Sequence, residues 1–208
     1  MTSPSNYQPY GQDIGAGSPD SPMPDGLIEA AGPLAIKVHG DGGYDAGNVL
    51  NGTAGQDIIY GNGGNDTLNG GDEDDLLDGG EGNDTVNAGT GNDTIDFAMG
   101  DESDTVNGGA DFDTVRLRGT SGNDTLNVRF SGGAINSIPG LTVSSIEAYE
   151  AHLDEGDDTL SYDPPGGLIT TAGISVDLAA GTATGFTSIS GVENVTGGSG
   201  SDTFAGDE

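Results

Sequence analysis

The sequence predicts an all-β solenoid, a right-handed parallel β-roll with a flexible N-terminal leader. Three observations carry that prediction. A nine-residue period of glycine, aspartate and one large apolar residue runs in phase from Gly52 onward. Each period reads as a glycine-rich turn followed by a short strand. The composition is unfit for an ordinary core, because Gly occupies 40 of 208 positions while Leu, Ile, Val and Phe together number only 40.

Charge sharpens the problem. Thirty-five Asp and Glu face four Lys and Arg, a formal net charge of −31. So few large apolar residues under so much self-repulsion predict disorder, unless a counter-cation supplied from outside folds the chain. The same polyanion excludes nucleic acid and anionic lipid as partners, since no basic patch is available. No apolar run approaches the roughly 18 residues that span a bilayer, so no membrane insertion is expected. Without cysteine there is no disulfide or thiolate metal site. The first 25 residues have neither the basic start nor the apolar stretch of an N-terminal signal peptide.

Residues 1–33 are rich in Pro, Gly, Ser and Asp and form the predicted leader. Within 34–51, a possible capping strand and linker, Leu34 to Val38 alternates apolar and polar. The predicted roll covers 52–130. Its first five copies are GTAGQDIIY (52–60), GNGGNDTLN (61–69), GGDEDDLLD (70–78), GGEGNDTVN (79–87) and AGTGNDTID (88–96). Three later copies end their turns at Asp104, Asp113 and Asp124, at spacings of 11, 9 and 11. Two added residues preserve which way each side chain points, so the strands are expected to lengthen with Phe97 and Leu117 facing inward. Leu126, Val128 and Phe130 alternate as one further strand, as does Gly173 to Leu178. Residues 131–208 are read as a less regular β continuation. Isolated copies at 153–161 and 197–205, each after a similar lead-in (SSIEAYE, SGVENVT), suggest a second-order repeat of about 45 residues. Gly206-Asp207-Glu208 reads as the opening of another repeat, so the array is expected to have continued.

If two nonapeptides make one coil, residue i stacks on i+18 at the roughly 4.8 Å spacing of a β ladder. Asp57 then lies over Asp75, Asp66 over Asp84, and Asp75 over Asp93. Bare carboxylates at that spacing repel by about 1 kcal/mol or more per pair, and a hard cation between them reverses the sign. Calcium suits the space: six to eight oxygens at roughly 2.3–2.6 Å, from carboxylates and exposed turn carbonyls, in flexible geometry. Zinc would want His or Cys. The competing reading, Asx turns holding a metal-free solenoid, leaves the stacked carboxylates unopposed.

The consensus G-G-x-G-x-D-x-U-x resembles the RTX, or haemolysin-type, calcium-binding repeat family. The resemblance implies several Ca²⁺ ions held between successive turns by the sixth-position Asp and by turn carbonyls. Those positions here are Asp57, Asp66, Asp75, Asp84 and Asp93, then Asp104, Asp113, Asp124, Asp158 and Asp202. The turn glycines with them are Gly61, Gly63, Gly70, Gly79, Gly82, Gly89 and Gly91. Glu73, Glu102 and Asp111 replace the fourth-position glycine, which predicts altered turns there. The Thr column (Thr67, Thr85, Thr94, Thr105, Thr114, Thr125) is expected on the solvent side, and Arg116, Arg118 and Arg129 are expected to neutralise nearby Asp.

No catalytic motif is present. His39 and His152 are isolated, H-E-x-x-H and G-x-S-x-G do not occur, and no enzyme is predicted. The expected function is a calcium-dependent folding module of a secreted, extracellular bacterial protein. The family implies type I secretion machinery as a partner, although no C-terminal signal is visible. The alternatives are a structural or adhesive rod that self-associates or meets an extracellular partner, or the repeat tail of a larger secreted enzyme.

Overall fold

The computed structural model describes residues 37–40, 47–163 and 170–206, and the predicted leader, residues 34–36 and 41–46 of the capping segment, and residues 207–208 of the expected further repeat lie outside them. Strands β1 (Lys37–His39), β2 (Val49–Asn51), β3 (Ile58–Tyr60), β4 (Thr67–Asp72), β5 (Leu76–Asp78), β6 (Thr85–Thr90), β7 (Thr94–Ala98), β8 (Asp104–Ala110) and β9 (Thr114–Arg118) build the regular part. Odd-numbered strands pair in parallel in one sheet and even-numbered strands in another. The chain therefore changes sheet once per nonapeptide, and each coil pairs with the next.

One apolar residue per strand points between the sheets. Ile59, Leu77, Ile95 and Val115 are in register on one side, and Leu50, Leu68, Val86 and Val106 on the other. All eight are at most 4% exposed. Burial of each contributes roughly 1.5–3 kcal/mol, so the core is thin and regular. The predicted lengthening occurs: β7 and β9 run five residues, and Phe97 pairs in register with Leu117, both buried. The Thr column lies at exposed or half-buried positions as expected.

Beyond β9 the coil grows. Strands β10 (Thr125–Asn127), β11 (Arg129–Ser131), β12 (Ala134–Ser137), β13 (Leu141–Ser144), β14 (Ala148–His152), β15 (Thr159–Ser161), β16 (Ser175–Asp177), β17 (Thr182–Ala183), β18 (Ser188–Ser190), β19 (Asn194–Thr196) and β20 (Thr203–Ala205) follow. The first sheet continues through β14 and β18, and β13 adds an edge to the second. A third sheet, in the order β10-β15-β19, makes another wall, while β16 pairs with β17 and β20. Coil length rises from 18 residues to 20, then to 34, 35 and 38.

Two expectations change here. The 45-residue second-order repeat does not describe the coils. The copy at 153–161 stacks through β15 on β10 and β19, whereas the copy at 197–205 pairs through β20 with β16. Register follows the inward apolar residues Leu126, Leu160 and Val195, and Glu193-Asn-Val195 occupies the place of Asp-x-U. Nor do Leu126, Val128 and Phe130 share one strand. All three are buried, but the chain breaks at Val128 and β11 turns back on β12 through Gly132 and Gly133.

In a solenoid each coil rests only on its neighbours, so position along the array decides the cost of a cavity. Leu77→Ala, at a fully buried mid-roll site, should cost about 2–5 kcal/mol in urea denaturation of the folded chain. Val195→Ala, at a partly buried site on the edge strand β19, should cost less. Equal losses would argue against the quasi-one-dimensional picture.

Candidate metal centre

The turns that join the strands place the acidic side chains. Gly82, at the fourth position of its turn, has φ +133°, where an L side chain is strained. Gly64 and Gly91 take the same position with positive φ, and Gly71, Gly89 and Gly109 do so at the second. Glu73 and Asp111, which replace the fourth-position glycine, adopt φ 69° and 81°, so those turns keep their shape. Glu102 is not among the positive-φ residues, and its turn departs from the pattern.

At several first positions glycine provides clearance, although Ala88 fills that position in the turn of Asp93. A Cβ on Gly79 would fall on the carboxylate of Asp84 in the same turn. At Gly61 and Gly70 it would meet both the Oδ2 of Asp66 or Asp75 and the carbonyl oxygen of the residue 18 further on, Gly79 or Ala88. Two oxygens thus converge over each of these glycines. Gly63 bridges Glu81 in the next coil.

The carboxylates form ladders. The backbone N–H of Asp57 donates to Asp75 Oδ1 (2.7 Å), that of Asp75 to Asp93 (2.8 Å), that of Asp93 to Asp113 (3.0 Å), and that of Asp113 to Glu147 Oε2 (3.0 Å). On the other side, Asn48 donates to Asp66 (2.6 Å), Asp66 to Asp84 (2.7 Å) and Asp84 to Asp104 (2.8 Å). A third ladder runs from Asp124 to Asp158 (2.8 Å) and from Asp158 to Glu193 (2.8 Å). Asp202, half-buried, accepts from Ile174 N–H at 3.1 Å. The predicted stacking of Asp57, Asp66 and Asp75 on their partners 18 residues on is therefore present. Asp158 has partners too, at spacings of 34 and 35 residues that the nonapeptide period cannot reveal.

Glu147 and Glu193 were not among the sequence-predicted residues. The signal for them is the spacing Glu-x-apolar in Glu147-Ala-Tyr149 and Glu193-Asn-Val195, which copies Asp-x-apolar. Beside the ladders, burial together with Asp104, Glu102, Asp78 and Glu81 raises the pKa of the non-consensus Asp101 to about 7.

Each ladder Asp uses one oxygen in a hydrogen bond, and the other is the informative one. Oδ2 of Asp75, Asp84, Asp93, Asp113 and Asp158 is buried with no hydrogen-bond partner. A buried anionic oxygen without a donor is costly. Burial raises the pKa of Asp75 and Asp84 to about 7 and of Asp93 to about 6, with neighbouring ladder carboxylates adding to the shift. Burial also raises Asp104, with Glu102 and Asp78 adding to it, and Asp113, with Glu147 and Asp111 adding to it. The turns that begin two ladders differ. Thr53 meets Asp57 Oδ2 with its N–H (2.5 Å) and hydroxyl (3.0 Å), and Thr120 does the same for Asp124 (2.6 and 3.1 Å).

The donor set fits a hard cation. It is all oxygen, anionic, buried and without protein hydrogen bonds, beside turn carbonyls in a cradle that a Cβ would fill. Among the described residues no three His, Cys, Asp or Glu gather closely enough to hold a metal by side chains alone. Turn carbonyls beside the carboxylates, such as those of Gly79 and Ala88, are placed to contribute to a shell.

Two of the four cationic side chains are engaged elsewhere. Arg116 and Arg118 both grip Asp96, at 2.6 and 2.7 Å, as expected of residues that neutralise local Asp. Arg129 makes no ion pair among the described residues. His152 hydrogen-bonds Ser190 (2.8 Å) and lies 3.5 Å from Glu150, while His39 stacks on Tyr60.

A carboxyl whose pKa is higher folded than unfolded binds more protons in the folded chain between about pH 4 and 7. The cation-free fold is thus most stable at the acid end and loses that advantage as pH rises through about 7. A divalent cation needs the ionised form, so its binding strengthens over the same range. In the presence of chelator, the β signal in circular dichroism should grow from about pH 8 to about pH 5, and the calcium midpoint should be lower at the higher pH. No change with pH would mean that the carboxylates do not oppose the fold.

Residues 42–77, 61–95, 116–128 and 189–208 match the family model of the RTX calcium-binding nonapeptide repeat, in four copies. A search of curated proteins finds no match to this chain.

Proposed function

We propose, on the premise that this chain carries RTX calcium-binding nonapeptide repeats, that it is a calcium-triggered folding module of a secreted protein. The observation that carries this reading is the set of buried Oδ2 atoms at Asp75, Asp84, Asp93, Asp113 and Asp158 that face no donor. The residues that would hold calcium are these aspartates with Asp66 and Asp104, and turn carbonyls such as those of Gly79 and Ala88. When bound, the ion supplies positive charge between carboxylates that otherwise repel. Asp57 and Asp124 are met by threonine, and Asp202 lies at the edge, which makes all three the weakest candidates of the column.

The switch follows from linkage. Where free calcium is scarce, as inside a bacterium, a net charge of −31 keeps the chain extended and fit for threading through an exporter. Outside, calcium binds only the folded state, and each ion at a thousandfold excess over its Kd adds about 4 kcal/mol. The repeat itself is a calcium-binding module, so catalysis is not part of the proposal.

Far-UV circular dichroism of the full chain, titrated with calcium from a chelator-stripped start and with magnesium as control, tests it. A cooperative gain of β signal with calcium alone is expected. A β signal of full strength already present in chelator would instead mean a metal-free solenoid. Position in the ladder gives a second test. Asp84 sits between Asp66 and Asp104, whereas Asp202 meets only the Ile174 amide among the hydrogen bonds described. Asp84→Ala should raise the calcium midpoint more than Asp202→Ala, and equal shifts would refute the mid-ladder role.

A further inference from the structure

Two ladders end in a way the nonapeptide consensus does not describe. The six-residue turn of residues 108–113 is met in the next coil by only three residues, Ser145, Ile146 and Glu147, between β13 and β14. The same shortening recurs at Gly191, Val192 and Glu193, between β18 and β19, opposite residues 153–158. Glutamate is one methylene longer than aspartate, and in both places its carboxylate reaches the rung. Glu147 Oε2 accepts from Asp113 N–H at 3.0 Å and Glu193 Oε2 from Asp158 N–H at 2.8 Å. The backbone answers in kind, with Glu147 N–H donating to the Asp113 carbonyl (3.1 Å) and Glu193 N–H to that of Asp158 (3.2 Å).

At both rungs a buried oxygen is left over. Asp113 and Asp158 are each 0% exposed, and the Oδ2 of each has no hydrogen-bond partner. Over Gly108, Asp113 Oδ2 converges with the carbonyl oxygen of Ser145. Accepting one amide N–H does not require a charge, and a second carboxylate beside a buried one is unfavourable unless a cation lies between. Among the described residues no ion pair reaches these four carboxylates, and Arg116 and Arg118 are committed to Asp96. At the opposite ends of these ladders, Thr53 and Thr120 supply the missing donors.

We propose that Glu147 and Glu193 are cation ligands that close the last rung of two ladders. One ion lies between Asp113 and Glu147 with the Ser145 carbonyl, and another between Asp158 and Glu193. This rests on the calcium reading above and extends it to two shortened turns outside the consensus.

Glu147→Gln and Glu193→Gln test it, because glutamine keeps the oxygen that accepts the amide N–H and removes the charge. Ions per full-length chain are counted by native mass spectrometry at saturating calcium, with circular dichroism following the folding midpoint. Each variant should bind one ion fewer than the wild type, the double variant two fewer, with β structure retained and the midpoint raised several-fold. Wild-type ion count and midpoint in both variants would overturn the assignment while leaving the general calcium reading intact. A variant without β structure at any calcium concentration would overturn it for that residue, leaving a structural acceptor. A wild-type chain that binds no calcium would remove the reading on which both stand.

Discussion

The structure depends on one constraint, a carboxylate buried in every coil and stacked on the next at the spacing of a parallel sheet. The amide of one Asp donates to the side chain of the Asp that follows it in the ladder, which fixes the register of coil on coil. The same geometry removes the second oxygen from water and offers it no donor. The fold therefore carries an electrostatic penalty that its thin core, one apolar residue per short strand, is poorly placed to offset. Opposite charge must be supplied, and four Lys and Arg against 35 acids cannot supply it. That imbalance is the physical basis of the calcium-dependent folding proposed above.

The ladder also explains how the roll tolerates irregularity. Adding two residues to a coil leaves side-chain parity unchanged, so Phe97 and Leu117 join the core without disturbing Ile95 or Val115. Larger insertions leave the roll and return to it. Some 34 residues separate Asp124 from Asp158, yet the amide of the first still meets the carboxylate of the second at 2.8 Å. Closure of so long a loop costs little more than closure of a short one, since the entropy grows only with the logarithm of length. What must be conserved along the chain is the rung, and the loop between rungs is free to vary.

The first five repeats were legible because every constraint there is local. A small residue at the first position, glycine in four of the five, leaves room for the carboxylate, aspartate at the sixth makes the rung, and the apolar residue at the eighth fills the core, all within nine residues. The later coils were not, because their pairing is between segments far apart in the chain. The two recognisable copies at 153–161 and 197–205 suggested a second-order repeat of about 45 residues, and they lie in different sheets. Glu147 and Glu193 escaped because a shortened turn changed both the residue type and the surrounding glycines that mark a repeat.

The sequence by itself determined that this protein is a β solenoid and that its inward residues and its carboxylates stand in columns. These follow from a period of nine, which is a property of the chain alone. Only the tertiary structure decided which carboxylates lie together after residue 113, which oxygen of each is already engaged, and which turns are satisfied by threonine. Those outcomes depend on register between distant coils, and register is a contest among hydrogen bonds and buried contacts that no single segment contains.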